Sequence, residues 1–279
     1  MSKAETIRTA GLDASNATVP ISTRRRAAWG RETSIVGEDL PVPEQAVLAV
    51  LYAPGRRPSI ADVRLAGDAS GAFAMSYDPG EGADWAELLI TGLTFEVAGL
   101  APESGAPVPP VAHRFGLARE WRADALEAVI LRPGEHLAGA AAMVPVVRGC
   151  VALGAALAAQ TDAVAVVWIP ARSAMAPDYF AATIGDWLGG GAFPALGLTA
   201  LVPGEAGMAS EGLAFFTGQE IDVRASEPVQ ASRIAVRLIH TLVDHGPLTA
   251  ATSLTGPDGE SLVAEPGGDG SRVRVRIRT

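Results

Sequence analysis

The chain has 279 residues, 48% of them apolar, which is enough to bury the core of one large or two ordinary domains and excludes an intrinsically disordered protein. Its formal net charge of −9 disfavours a general nucleic-acid or anionic-membrane role, because gripping phosphate needs clustered cations. Lys3 is the only lysine, Cys150 the only cysteine, and His113, His136, His240 and His245 the only histidines. A phosphate-binding loop with its lysine, a lysine Schiff base and a thiolate zinc site therefore cannot be assembled in the folded region, and no cofactor is expected.

One cysteine forbids an internal disulfide and fits a reducing compartment. The first twenty residues contain no apolar stretch of the kind that drives export, and Arg24, Arg25 and Arg26 are followed by Ala-Ala-Trp-Gly rather than a hydrophobic run. The longest apolar tract, Leu137 to Val147, contains Pro145 and is far shorter than the roughly 20 residues of a membrane helix. A cytoplasmic protein without membrane association is expected.

Residues 1–40 are polar and lack a sustained apolar period, so they read as a loosely held tail ending near Pro41 and Pro43. An N-terminal half spans 41–133. It opens with a buried strand at Gln45 to Tyr52, followed by a short helix at Ser59 to Leu65 with Ser59 as its cap. Strands are predicted at Gly71 to Tyr77 and Trp85 to Thr91, the second continuing to Leu93–Ala98 with Gly92 as a bulge. A proline-rich loop then leads to a helix at Arg119 to Leu126 and an apolar run at Ala128 to Leu131.

The C-terminal half, 134–279, starts with a helix whose stripe is Met143, Val147, Val151 and Leu157, ending near Gln160. A central strand follows at Ala163 to Ile169, then a helix at Pro177 to Leu188 stopped by Gly189-Gly190-Gly191. Strands are predicted at Leu196 to Val202, Glu211 to Phe216 and Glu220 to Arg224, and a helix at Pro228 to His245 with Val229, Ile234, Leu238 and Leu242 inside. A last hairpin joins Ser261–Ala264 to Arg272–Ile277. Helices and short antiparallel strands in this order predict an α+β fold in two layers, read as two ferredoxin-like halves with mainly antiparallel sheets.

The segment from AVAVVWIPARS to EGLAFFTGQEIDVRAS, with Trp168, Gly212, Leu213, Phe216, Gly218, Glu220, Ile221, Asp222 and Val223 at the matching positions, resembles an uncharacterised bacterial family, domain of unknown function 4261. The likeness covers roughly residues 140–260 and implies a fold without an established activity.

Four arginines, Arg272, Arg274, Arg276 and Arg278, alternate with Val273, Val275 and Ile277, so an extended strand places guanidinium groups about 6.6 Å apart on one face. Such a row can grip an acidic protein surface, a polyanion or a substrate carboxylate. The plain alternative is a charged edge strand that resists pairing, balanced by Glu260, Glu265 or Asp269. Glu220 and Asp222 share a strand face, and Asp244 sits beside His245 at a helix end, so carboxylate and imidazole could in principle do acid-base work; a solvated face of a half-buried strand is the better explanation of the first pair. His240 and His245 lie about 140° apart around a helix and cannot share a metal, so no metal site is expected. Cys150 reads as a small packed hydrophobe.

The sequence thus favours a non-enzymatic interaction or accessory protein with a protein partner engaged through the arginine row. A cofactor-independent hydrolase or lyase using carboxylate, Arg and His groups in a cleft between the halves is the alternative, and a homodimer paired through exposed strand edges is a third reading.

Overall fold

A computed structural model describes residues 45–80 and 82–278. The tail expected at 1–40 and its boundary prolines lie outside the described residues. The chain enters as β1 (Leu48–Tyr52), which is buried along its whole length and becomes an interior strand of the first sheet. Helix α1 (Ile60–Ser70) starts where Ser59 accepts from the Asp62 N–H while the Asp62 carboxylate accepts from the Ser59 N–H, a reciprocal cap, and it ends on left-handed Gly71. The helix outruns the expected Ser59–Leu65 because Val63, Ala66 and Gly67 bury one face.

Strands β2 (Ala74–Tyr77), β3 (Trp85–Ile90) and β4 (Leu93–Ala98) form an antiparallel meander. Gly92 is not a bulge: Ile90 pairs with Leu93, and Thr91 and Gly92, with φ of 49° and 81°, make the two-residue turn between strands. After β5 (His113–Phe115), the helix expected at Arg119–Leu126 is absent. The Arg114 guanidinium instead holds the Arg119 and Trp121 carbonyls at 3.3 and 3.1 Å, so the loop's acceptors are met without helical hydrogen bonds.

Strand β6 (Glu127–Pro133), helix α2 (Val144–Gln160), β7 (Ala163–Trp168), β8 (Ser173–Met175) and α3 (Pro177–Leu188) complete the first unit of packing. The sheet order is β2-β3-β4-β6-β1-β7-β8-β5, antiparallel except for β8 beside β5. Position 133, the expected junction of the halves, ends β6, and the same sheet continues past it with β7 and β8. Leu48, Val50, Tyr52, Val129, Leu131, Val166 and Trp168 pack with α2 and α3 residues in one core, whereas Met143 caps α2 and stays 60% exposed.

The strand expected at Leu196–Val202 is split into a helical turn, α4 (Ala195–Leu198), and β9 (Ala200–Gly204). Likewise Glu211–Phe216 is not a strand. β10 (Gly207–Glu211) stops at Gly212, whose φ of 87° turns the chain, and Ala214–Thr217 forms the short helix α5. Strand β11 (Glu220–Arg224), helix α6 (Pro228–His245), β12 (Thr252–Thr255), β13 (Ser261–Pro266) and β14 (Arg272–Ile277) follow. The second sheet runs β12-β13-β14-β11-β10-β9, antiparallel except for β14 beside β11. Ile234, Leu238 and Leu242 of α6 are buried against it, while Val229 in the first turn is 73% exposed.

The architecture is α+β, with helices layered on mainly antiparallel sheets. Sheets of eight and six strands in these orders are not the four-stranded arrangement of ferredoxin-like halves. No helix among the described residues is long and apolar enough to cross a membrane.

Candidate functional site

Alternation decides which way β14 faces. Val273 and Val275 are buried with Ile221 and Val223 of β11 in the core that α6 covers, so Arg272, Arg274 and Arg276 stand on the opposite, open face of the second sheet, all exposed. The strand is not an edge. It pairs antiparallel with β13 and parallel with β11, in the register Glu220 with Arg272, Asp222 with Arg274 and Arg224 with Arg276. That face therefore carries the two charged rows side by side, open over β14 but closed over Asp222, with Glu265 of β13 in register on the other side of Arg274 and Arg224 directly opposite another arginine.

Few of these charges are held in close ion pairs, although Asp269 feels the Arg274 charge. Arg276 pairs with Glu265 at 2.8 Å and Arg224 approaches Glu205 at 3.7 Å, both pairs well exposed. Arg272, Arg274 and Arg278 form no ion pair among the described residues. Of the other expected counter-ions, Glu260 is held by Gln230 and the Asp258 N–H, and Asp269 by Ser271, which keeps the Asp269 carboxyl below the usual range.

The weaker polar cluster is not brought together. Glu220 is consumed locally: its carboxylate accepts from the backbone N–H groups of Gly212 at 2.8 Å and Ala214 at 3.0 Å and from the Ser210 hydroxyl. Asp222 is only 8% exposed, and its Oδ1 has no hydrogen-bond partner among the described residues. That oxygen lies 3.3 Å from where a Cβ on Gly204 would stand, so the glycine makes room for it. Asp244 and His245 are exposed at the end of α6, where His245 Nδ1 meets the Thr241 carbonyl at 3.0 Å, and neither contacts Glu220 or Asp222. No group of three or more His, Cys, Asp or Glu side chains among the described residues could hold a metal.

A polar junction that sequence reading missed joins the two sheets. Glu211 at the end of β10 meets His113 Nε2 at 3.0 Å and the Arg172 guanidinium, and the Arg172 bond, opposed by burial and aided by His113, holds its carboxyl below the usual range. Beside it Gly212 packs on Ala171 so closely that a Cβ would lie 2.8–2.9 Å from Ala171 atoms. Trp168 Nε1 donates to the Leu198 carbonyl at 2.8 Å, and its ring stacks on Phe216. His113 and Glu211 are 98 positions apart, and no local pattern links them.

An open groove of about 700 Å³ borders the start of β14, lined among others by Gly218, Leu248, Gly268 and Asp269. The buried Gln219 side chain at its base is saturated, donating to the Leu248 and Gly270 carbonyls at 2.9 Å and accepting from the Leu248 N–H at 2.8 Å.

Comparison of the chain with protein-family models, with curated proteins and with solved structures finds no match.

Proposed function

We propose that the chain is a non-enzymatic cytosolic interaction protein that holds an anionic partner on the open face of its second sheet. The observation that carries this is the arginine ladder of β14, exposed in the interior of a sheet, with Arg272 and Arg274 in no ion pair among the described residues. An interior strand has no free edge to guard, so protection against edge pairing does not account for the charge. Like charges directly across a sheet, as in Arg224 beside Arg276, cost about 0.2–1 kcal/mol, and a bound carboxylate offsets that while using the paired N–H donors of guanidinium.

Within the same proposal the chain is placed with domain of unknown function 4261. The support is that Trp168, Gly212, Gly218 and Glu220, four of the residues that carry the likeness, hold structural posts around α5. A cytosolic setting is supported by the single, buried Cys150.

The test is capture of the tagged full-length chain from its native cytosol beside an Arg274→Ser/Arg276→Ser form, with native mass spectrometry on both eluates. A stoichiometric partner present with the first and lost with the second is the expected result. A partner retained by both would overturn the assignment of the face.

A further inference from the structure

We infer that the outer side of α6 carries a second site, a groove that takes a medium-chain aliphatic monocarboxylate. The site is separate from the arginine face, because α6 covers the opposite side of the second sheet. The groove is open and has a volume of about 460 Å³. Its floor is made by Leu196 of α4, Leu201 of β9, Val236 of α6 and Pro257, and Leu196 is 55% exposed. Ser232, which also lines it, gives its hydroxyl to the Pro228 carbonyl at 2.9 Å. Apolar side chains left against water in a groove release free energy when an apolar chain covers them.

The rim is charged at both ends, but only one end is matched. The helical period brings Arg233, Arg237 and His240, at i, i+4 and i+7, to the same side of α6. Arg233 is held by Asp258 at 2.6 Å. Arg237, one turn further on, forms no ion pair and no side-chain hydrogen bond among the described residues. His240 stands edge-on to Phe193, with ring centroids 6.4 Å apart, and its ring forms no hydrogen bond among the described residues. Residues three apart on a helix are neighbours, about 5–6 Å between Cβ atoms, so two unmet donors sit together at one end of the floor. A polyanion would meet those donors and leave the floor wet. A neutral alkyl chain would cover the floor and leave the Arg237 charge unmatched. A carboxylate at the head of an alkyl chain answers both, its oxygens accepting from Arg237 and His240. From His240 back to Arg233 the helix rises about 10 Å, the extended length of about eight carbons, and the matched Arg233–Asp258 pair stands where such a chain ends.

The test is a methyl NMR titration of the full-length chain with sodium carboxylates of four, six, eight and ten carbons and with 1-octanol. Affinity is expected to rise about twofold to fourfold per added methylene up to eight carbons and then level off, with shifts centred on Leu196, Leu201 and Val236. Octanoate should bind about fivefold tighter than 1-octanol. Arg237→Ser should remove that preference and keep the dependence on chain length, whereas Leu196→Ser should flatten the dependence and keep the preference. Both side chains are exposed, so neither change should move urea unfolding. Affinity independent of chain length, equal binding of octanoate and 1-octanol, or shifts scattered away from these methyls would overturn the inference. Self-association of the native chain that Leu196→Ser abolishes and octanoate leaves intact would also overturn it, giving the floor to a second copy.

Discussion

Glu220 and Asp222 are two residues apart on one strand, and their surroundings give them opposite roles. Glu220 satisfies three donors around the start of α5, so Glu220→Ala strands them and should lower stability by about 2–4 kcal/mol in urea unfolding. Asp222 satisfies none with Oδ1, so its removal should cost far less. Cys150 is buried in α2 and its thiol is pushed up to about 12, so it should resist a thiol reagent near pH 8 in the native chain and react once unfolded. Labelling of the native chain at the unfolded rate would contradict that burial. Glu211 titrates below its ordinary 4.5 because of Arg172, so the unfolded chain binds the proton first. Its contribution to stability is full above about 4.5 and is lost as pH falls through the depressed folded value. Glu127, Glu260 and Asp269 are shifted the same way, so the loss specific to Glu211 is the difference between native and Glu211→Gln acid unfolding curves.

At the scale of elements, the turn at Gly212 controls how β10 hands over to α5 and meets Ala171. Gly212→Ala combines a positive φ with contacts under 3.0 Å to Ala171 and should cost about 2–4 kcal/mol by urea unfolding, whereas Gly218→Ala, with open space around it, should cost less. Elements of this kind mark the limit of what the sequence discloses. Helices α2 and α6 and strands β7 and β14 were legible because each is long enough to show a period or an unbroken apolar run. Strands β5 and β8, of three residues each, exist only because they pair with each other, about 60 positions apart in the sequence, with β8 also leaning on nearby β7. The segments 196–202 and 211–216 have the composition of strands, yet one holds a helical turn and the other a left-handed glycine. The arginine row was visible as an alternation, but its interior position depended on β11 pairing in parallel beside it.

At the scale of the molecule, α6 buries one face of the second sheet and leaves the other to charge. The chain is acidic overall, and yet Arg224, Arg272, Arg274 and Arg276 converge on two adjacent strands. That local reversal of sign is the physical basis for an anionic partner, since it attracts at short range what the net charge of −9 repels at long range. The most direct measurement is the affinity of the native chain and of Arg274→Ser/Arg276→Ser for a labelled oligoglutamate peptide across a salt series. The expected result is at least tenfold weaker binding by the double variant and a shallower salt dependence, with unchanged urea unfolding. Equal affinities and equal salt slopes for the two chains would contradict the assignment of the open face as the binding surface.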